Sequence, residues 1–210
     1  MIRTLTPARP WRTPRTDLVT DPIDPDRGLM TSEQSARSSH DPDPALIRAA
    51  QRGDPMALSA LMDLLAPFVG RICGPIALQD GPDAAQDALI AILRGIGRLN
   101  EPAALYGWAR VVAVRAAVRV ARQSWRSTAM AAGAASPPVE ELPAVGDPLL
   151  AADIGAVLAR LSPEHRAVLV LRDLEGFDEE AAGRILAVPP GTVRSRLFRA
   201  RRNFREEWQA

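Results

Sequence analysis

Four arginines, Arg115, Arg119, Arg122 and Arg126, recur at steps of four, three and four within the stretch RAAVRVARQSWR. At about 100° per residue these steps bring all four guanidinium groups onto one helical stripe. Residues 105 to 126 contain no acid, so the stripe lacks the Glu-before-Arg pairs of an ordinary solvated face. Like charges at that spacing repel mildly, and an anion beside them relieves the repulsion. The chemistry on offer is the holding of phosphates. A second basic helix lies at the C-terminus, where residues 191–210 hold six arginines against two glutamates, a local charge of +4. Projected as a helix, Val193, Leu197, Ala200, Phe204 and Trp208 share one face, and Ser195, Arg199 and Arg202 lie opposite. Arg194, Phe198 and Arg205 fall on one shoulder and Arg196 on the other. Such a helix is anchored on one side and basic on the other, and a guanidinium fork suits both phosphate and guanine.

The remaining chemistry-bearing residues assemble no reactive site. The single cysteine, Cys73, permits no internal disulfide and is expected in the core, and with only two histidines there is no metal-binding set. His40 falls in an aperiodic N-terminal stretch and His165 in the first turn of a helix, and neither meets a nucleophile or a ligand set. No enzymatic activity, metal or cofactor is expected. The lack of a cysteine framework points to a reducing, cytosolic setting.

The elements that position the arginines are expected to be helices. Apolar residues make up 47% of the 210 residues but aromatics only 4%, which suits Ala-, Leu- and Val-rich helical packing better than sheets. The fold class is therefore all-α, as two small helical domains joined by a flexible linker, the C-terminal one a helix-turn-helix. Residues 1–40, rich in Pro, Arg, Asp and Thr without a period, are expected to be disordered. Residues 41–126 form the first domain, with Asp54 as an N-cap and Pro55 at the first helical position. Residues 127–147 read as the linker, and full extension of its 21 residues reaches about 70 Å. Residues 148–210 hold four further helices. Leu150, Ile154, Val157, Leu158 and Leu161 are expected to form one buried face, and Ser162 with Pro163 to open the next helix. No apolar run approaches the length of a membrane span, and no membrane insertion is expected. The net charge of +1 decides nothing about partners.

The helices DEEAAGRIL and TVRSRLFRARRNFREEW, joined by the turn AVPPG, suit a helix-turn-helix. On an isolated helix the basic face would read as merely solvated; the turn before it favours DNA. At this point the sequence resembles region 4 of an extracytoplasmic-function (ECF) sigma factor of bacterial RNA polymerase, through LARLSPEHRAVLVLRDLEGFDEEAAGRILAVPPGTVRSRLFRARRNF. DAAQDALIAILR resembles the region 2 helix that docks on the polymerase clamp, and WARVVAVRAAVRVAR the following helix of regions 2.3 and 2.4. The resemblance spans about residues 41 to 208.

The resemblance implies a transcription initiation factor. Arg194, Ser195, Phe198 and Arg199 are expected to read base edges of the minus-35 element, with Thr192, Arg196 and Arg202 on its backbone. Arg115, Arg119, Arg122 and Arg126 are expected near the minus-10 element, holding phosphates, beside the loop NEPAALYG. Trp108 shares their stripe, and Trp108 and Tyr106 are expected as core rather than as a base-stacking platform. Asp83, Gln86, Asp87, Ile90 and Arg94 are expected to contact the beta-prime clamp, while Ala85, Leu89, Ile92, Leu93 and Ile96 form that helix's buried face. The implied partners are core RNA polymerase, through the beta-prime clamp and beta flap, and promoter DNA; an anti-sigma factor is a further candidate. Arg115 and Arg119 stand where such proteins usually carry Asn and Asp, and Ala187 where the turn often has Gly. With Ala182 and Gly183 before it, looser packing of the helix-turn-helix is expected. A spacer of about 17 base pairs spans roughly 58 Å, within the linker's reach. Two other readings compete: a standalone helix-turn-helix regulator, and a helical adaptor that binds only protein.

Overall fold

The computed structural model describes residues 43–130 and 148–209. The expected disordered segment and the 131–147 part of the expected linker lie outside the described residues. The first domain contains α1 (Pro44–Gln51), α2 (Pro55–Ala77), α3 (Gly81–Gly95) and α4 (Leu105–Met130), with short 3-10 turns between the last three. α4 continues four residues past the boundary expected at 126. Asp54 caps α2 by accepting from the Met56 and Ala57 amides at 2.9 and 3.3 Å, which satisfies two of the helix's orphan donors.

Pro67 and Pro75 lie inside α2 and each removes one helical hydrogen bond. The helix persists because Leu61, Leu65, Val69, Ile72 and Ile76 are packed on all sides at the centre of the bundle. The stretch 55–98 contains an 18-residue window of mean hydropathy 1.5, apolar enough for a membrane span by length and composition alone. A third of that window is buried inside the domain.

One expectation for the first domain is corrected. The buried stripe of α3 is Gly81, Ala84, Ala88 and Ile92; Ala85 and Leu89 are half-buried and Leu93 is exposed. Close approach sets this rotation: a Cβ on Gly81 would lie 3.0 Å from the Gly74 Cα of α2. Trp108 does not stand out with the arginines. It is buried with its ring against Gly95, where an added Cβ would come within 2.7 Å of Cζ2, so its placement in the core is as expected. Half-buried Tyr106 packs edge-on against Phe68.

The second domain contains α5 (Pro148–Ala159), α6 (Pro163–Leu169) continued by a π turn at Val170–Leu174, α7 (Glu179–Leu186) and α8 (Pro190–Trp208). Ser162 caps α6 through the His165 amide at 3.3 Å, and Asp178 caps α7 through the Ala181 amide at 2.7 Å. Of the face expected along α5, Val157 and, just beyond the helix, Leu161 are buried but Leu150 and Ile154 are exposed, so only its C-terminal part is covered. The packing of α7 on α8 is tight rather than loose. A Cβ on Gly183 would sit 2.8 Å from the Val188 carbonyl oxygen, and Ala187 itself adopts the left-handed φ of 54° that ends α7.

The two domains share one continuous apolar core. α6 and α7 rest on α4, and α8 lies across α6 and α7 on the far side.

Candidate nucleic-acid interface

α8 is held by Val193, Leu197 and Ala200, all buried. This anchoring fixes the helix's rotation and turns Arg194, Ser195, Phe198 and Arg199 outward together, all exposed. Phe198 is 66% exposed, a large aromatic ring with no intramolecular reason to face solvent. Thr192 and Arg196 are half-buried at the helix flank, and Arg202 is exposed with a long 3.6 Å pair to Glu206. Phe204 is half-buried, and Trp208, expected on the buried face, is 46% exposed and stacks on Phe204.

The arginines of α8 divide by partner. Arg194 makes a forked pair with Glu179 of α7, its Nη2 2.7 Å and its Nε 3.0 Å from the carboxylate. The Arg194 hydrogen bonds hold the Glu179 carboxyl below its usual range, and the same bonds raise the Arg194 pKa. Arg201 is tied to Asp173 of the π turn. Arg199 makes no ion pair among the described residues. Ser195 turns its hydroxyl back to donate to the Thr192 carbonyl at 3.1 Å. An exposed side with one unpaired guanidinium, one forked guanidinium, a hydroxyl and an aromatic ring offers donors and an apolar surface to a groove.

The four arginines of α4 are brought onto one side of the helix, but three of them have protein partners. Arg119 Nη2 lies 3.0 Å from Asp87 Oδ2 of α3, an exposed pair within the first domain. Arg122 Nε lies 2.6 Å from Glu164 Oε1 of α6, and Arg115 Nε donates to the Ile185 carbonyl at 3.4 Å. Arg126 is exposed. Glu164 answers to opposed effects. Burial raises its pKa, but the Arg122 hydrogen bond, its own backbone and the charges of Arg122 and Arg196 together hold it below the usual range.

One cluster on α4 was not singled out from the sequence. The Arg110 guanidinium lies between the rings of Phe68 and Phe177, 5.2 and 4.8 Å from their centroids. Its Nε donates to Glu175 Oε2 at 3.2 Å, and Arg71 approaches the same carboxylate at 3.5 Å. Burial lowers the Arg110 pKa, Glu175 partly offsets it, and Arg71 lowers it further. Arg110 and Glu175 are 65 residues apart, so no local spacing signals the pair. The same holds for Glu179, which is an ordinary first-turn acid until the turn folds it against Arg194.

On α3, Asp83, Gln86, Asp87, Ile90 and Arg94 are all exposed. The first four line one wall of a groove whose other wall is Val120, Gln123, Ser124 and Ser127 of α4. Cys73 is fully buried, and burial pushes its thiol up to about 12.

Residues 151–204 match the family described as sigma-70, region 4. Over 128 residues the chain is 33% identical to the ECF RNA polymerase sigma factor SigM of Mycobacterium tuberculosis, covering 59% of this chain and 61% of that relative. Over 190 residues it is 28% identical to the RNA polymerase sigma-H factor of Pseudomonas aeruginosa, covering 82% and 93%. Through these matches the chain is similar to ECF sigma factors of RNA polymerase. The residues matched to region 4 fall within the second domain and include α7 and most of α8. The fold agrees with that of the sigma factor RpoE in complex with the anti-sigma factor NepR from Bartonella quintana, with a TM-score of 0.58 at 22% identity over 72% of this chain and 96% of that one. The match to the mycobacterial SigM spans somewhat under two thirds of that relative's length.

Proposed function

We propose that this chain is an ECF sigma factor that acts in the cytoplasm, binds core RNA polymerase and directs initiation at promoters with minus-10 and minus-35 elements. The observation that carries the proposal is the exposed side of α8. Arg194, Ser195, Phe198 and Arg199 face outward from a helix whose other side is fixed in the core, as reading a groove requires. Thr192, Arg196 and Arg202 flank that side and hold the minus-35 backbone. The first domain acts as region 2. Its α3 presents Asp83, Gln86, Asp87, Ile90 and Arg94 to the beta-prime clamp, and its α4 presents Arg115, Arg119, Arg122 and Arg126 to the phosphates near minus 10. Region 4 also meets the beta flap, and an anti-sigma factor is a further candidate partner. The factor performs no chemistry of its own.

Because each domain offers few base contacts, affinity must be assembled from linked modules. The test is run-off transcription and promoter binding, with and without core polymerase, on a promoter library. Weak duplex binding by the chain alone, converted to specific initiation by core polymerase, is expected. Tight sequence-specific binding by the chain alone, with no stimulation of polymerase, would establish a standalone helix-turn-helix regulator instead.

A further inference from the structure

We propose that Glu179 is a positioning residue for Arg194, aiming that guanidinium so that it selects a guanine at one base pair of the minus-35 element. The proposal rests on the sigma-factor function above and deepens it by naming the residue that sets the choice at that base pair. Arg194 lies in the early part of α8, and the N-terminal residues of a recognition helix are the ones that reach base edges. Its side chain is 76% exposed, yet it is not free. Glu179, 15 residues earlier on α7, accepts from Arg194 Nε at 3.0 Å through both carboxylate oxygens and from Nη2 at 2.7 Å. The pair crosses from one helix of the helix-turn-helix to the other.

Both ends of the pair stand on well-held backbone. Glu179 follows Asp178, whose side chain caps α7 through the Ala181 amide at 2.7 Å. α7 is seated on α8 without slack, since a Cβ on Gly183 would sit 2.8 Å from the Val188 carbonyl oxygen, and Val193, next to Arg194, is fully buried. The Glu179 side chain is 25% exposed against 76% for Arg194. The carboxylate is therefore the fixed member of the pair, and the arginine is the member that it places.

The fork leaves a definite set of donors. A guanidinium carries one N–H on Nε and two on each terminal nitrogen. The carboxylate takes the Nε–H and one Nη2–H, so both Nη1–H groups and the second Nη2–H remain, and planarity points Nη1 away from Glu179. The free Nη1–Nη2 edge is a parallel pair of donors, which guanine N7 and O6 accept together. An unheld arginine samples many rotamers and reaches a phosphate as readily as a base, whereas one already held loses less freedom on binding. The carboxylate also offsets the charge that would draw Arg194 to a phosphate. The pair thus favours choice of sequence over general attraction to DNA. A first-turn acid stabilises the N-terminus of α7 as well, but that role alone would affect every base pair equally.

The test uses the full chain reconstituted with core polymerase, bound at fixed salt to a promoter and to single-base-pair variants across the minus-35 element. Arg194→Ala should lose preference at one position, which identifies the base pair that Arg194 reads. Glu179→Gln keeps the side chain's length but removes its charge and one of its two acceptor oxygens. Preference at that same base pair should fall by about fivefold or more, while preference at the other positions is kept. Loss of an acid near DNA tightens binding to every variant alike, so the ratio between base pairs is the quantity that reports positioning. In the Arg194→Ala background, Glu179→Gln should leave that ratio unchanged, because Glu179 acts only through Arg194. The proposal is overturned by an unchanged ratio in Glu179→Gln, by an equal loss with and without Arg194, or by an Arg194→Ala variant that loses no preference. In each of those cases a wild-type holoenzyme that still selects its promoter leaves the sigma-factor function standing. A wild-type holoenzyme with no preference at any position removes that function, and the role of Glu179 with it.

Discussion

Arg199→Ala and Val193→Ala separate what α8 reads from what holds it. Arg199 is exposed and unpaired among the described residues, so truncating it removes no internal contact, and folding stability should stay within about 0.5 kcal/mol. On DNA, losing a bidentate contact costs about 1–3 kcal/mol, roughly 5- to 150-fold in discrimination at one base pair. Val193 has no exposed surface. Removing its two methyl groups at about 0.8 kcal/mol each, plus a small cavity, costs about 2 kcal/mol, a fall in Tm of about 4–8 °C for a chain of this size. The assays are thermal melting of the free factor and competition binding of the holoenzyme, at fixed salt, to single-base-pair variants of the minus-35 element. Arg199→Ala should lose preference at one or two positions without a shift in Tm. Val193→Ala should lower Tm while keeping the order of preference. Equal weakening by Arg199→Ala on every promoter, with a salt slope reduced by about one, would make Arg199 a phosphate holder and refute its assignment as a reader.

On α3, Ile90→Arg combined with Asp83→Arg should abolish co-purification with core polymerase while leaving far-UV circular dichroism unchanged; normal co-purification would place the clamp contact elsewhere. Asp87 is left intact in that variant because it holds Arg119 at 3.0 Å. His165 is held below its ordinary 6.5 first by burial, with Arg196 and Arg199 lowering it further against the raising effect of Glu164. Its contribution to stability is therefore present above pH 6.5 and lost as pH falls through the folded value. The Tm should decline as the pH falls below 6.5, and less so in His165→Gln; equal slopes would remove His165 as the cause. Burial and a thiol pKa pushed up to about 12 make Cys73 unreactive in the native chain. A thiol reagent at about pH 8 should label it only on denaturation, and rapid native labelling would contradict its place in the core.

What could be read from the sequence was local. Asp54 before Pro55, Ser162 before Pro163, and the Val193, Leu197, Ala200 stripe are decided by neighbours within one or two turns, and all three stand as expected. On α3 the period was legible but its phase was not. Large apolar residues suggested that Leu93 faces inward, whereas the contact is made by small ones, Gly81, Ala84 and Ala88, which let α3 approach α2 closely. Hydrophobic periodicity weights a leucine above an alanine, and close helix packing inverts that weight. The outward direction of α8's four expected readers was legible because two of its three anchor residues, Val193 and Leu197, are larger apolar side chains that set the phase. The pairs that join the domains were not, since Arg115 and Ile185 are 70 residues apart and Arg122 and Glu164 are 42 apart.

The arginine stripe shows why a sound inference from sequence can still leave the occupant open. A helix face with four like charges and no acid of its own requires an anion, and that requirement is physical. It does not specify whose anion. Here the chain supplies partners itself: Asp87 beside Arg119, Glu164 beside Arg122 and the Ile185 carbonyl beside Arg115. Periodicity along one helix cannot reveal them, because each partner sits on another element brought in by the tertiary fold.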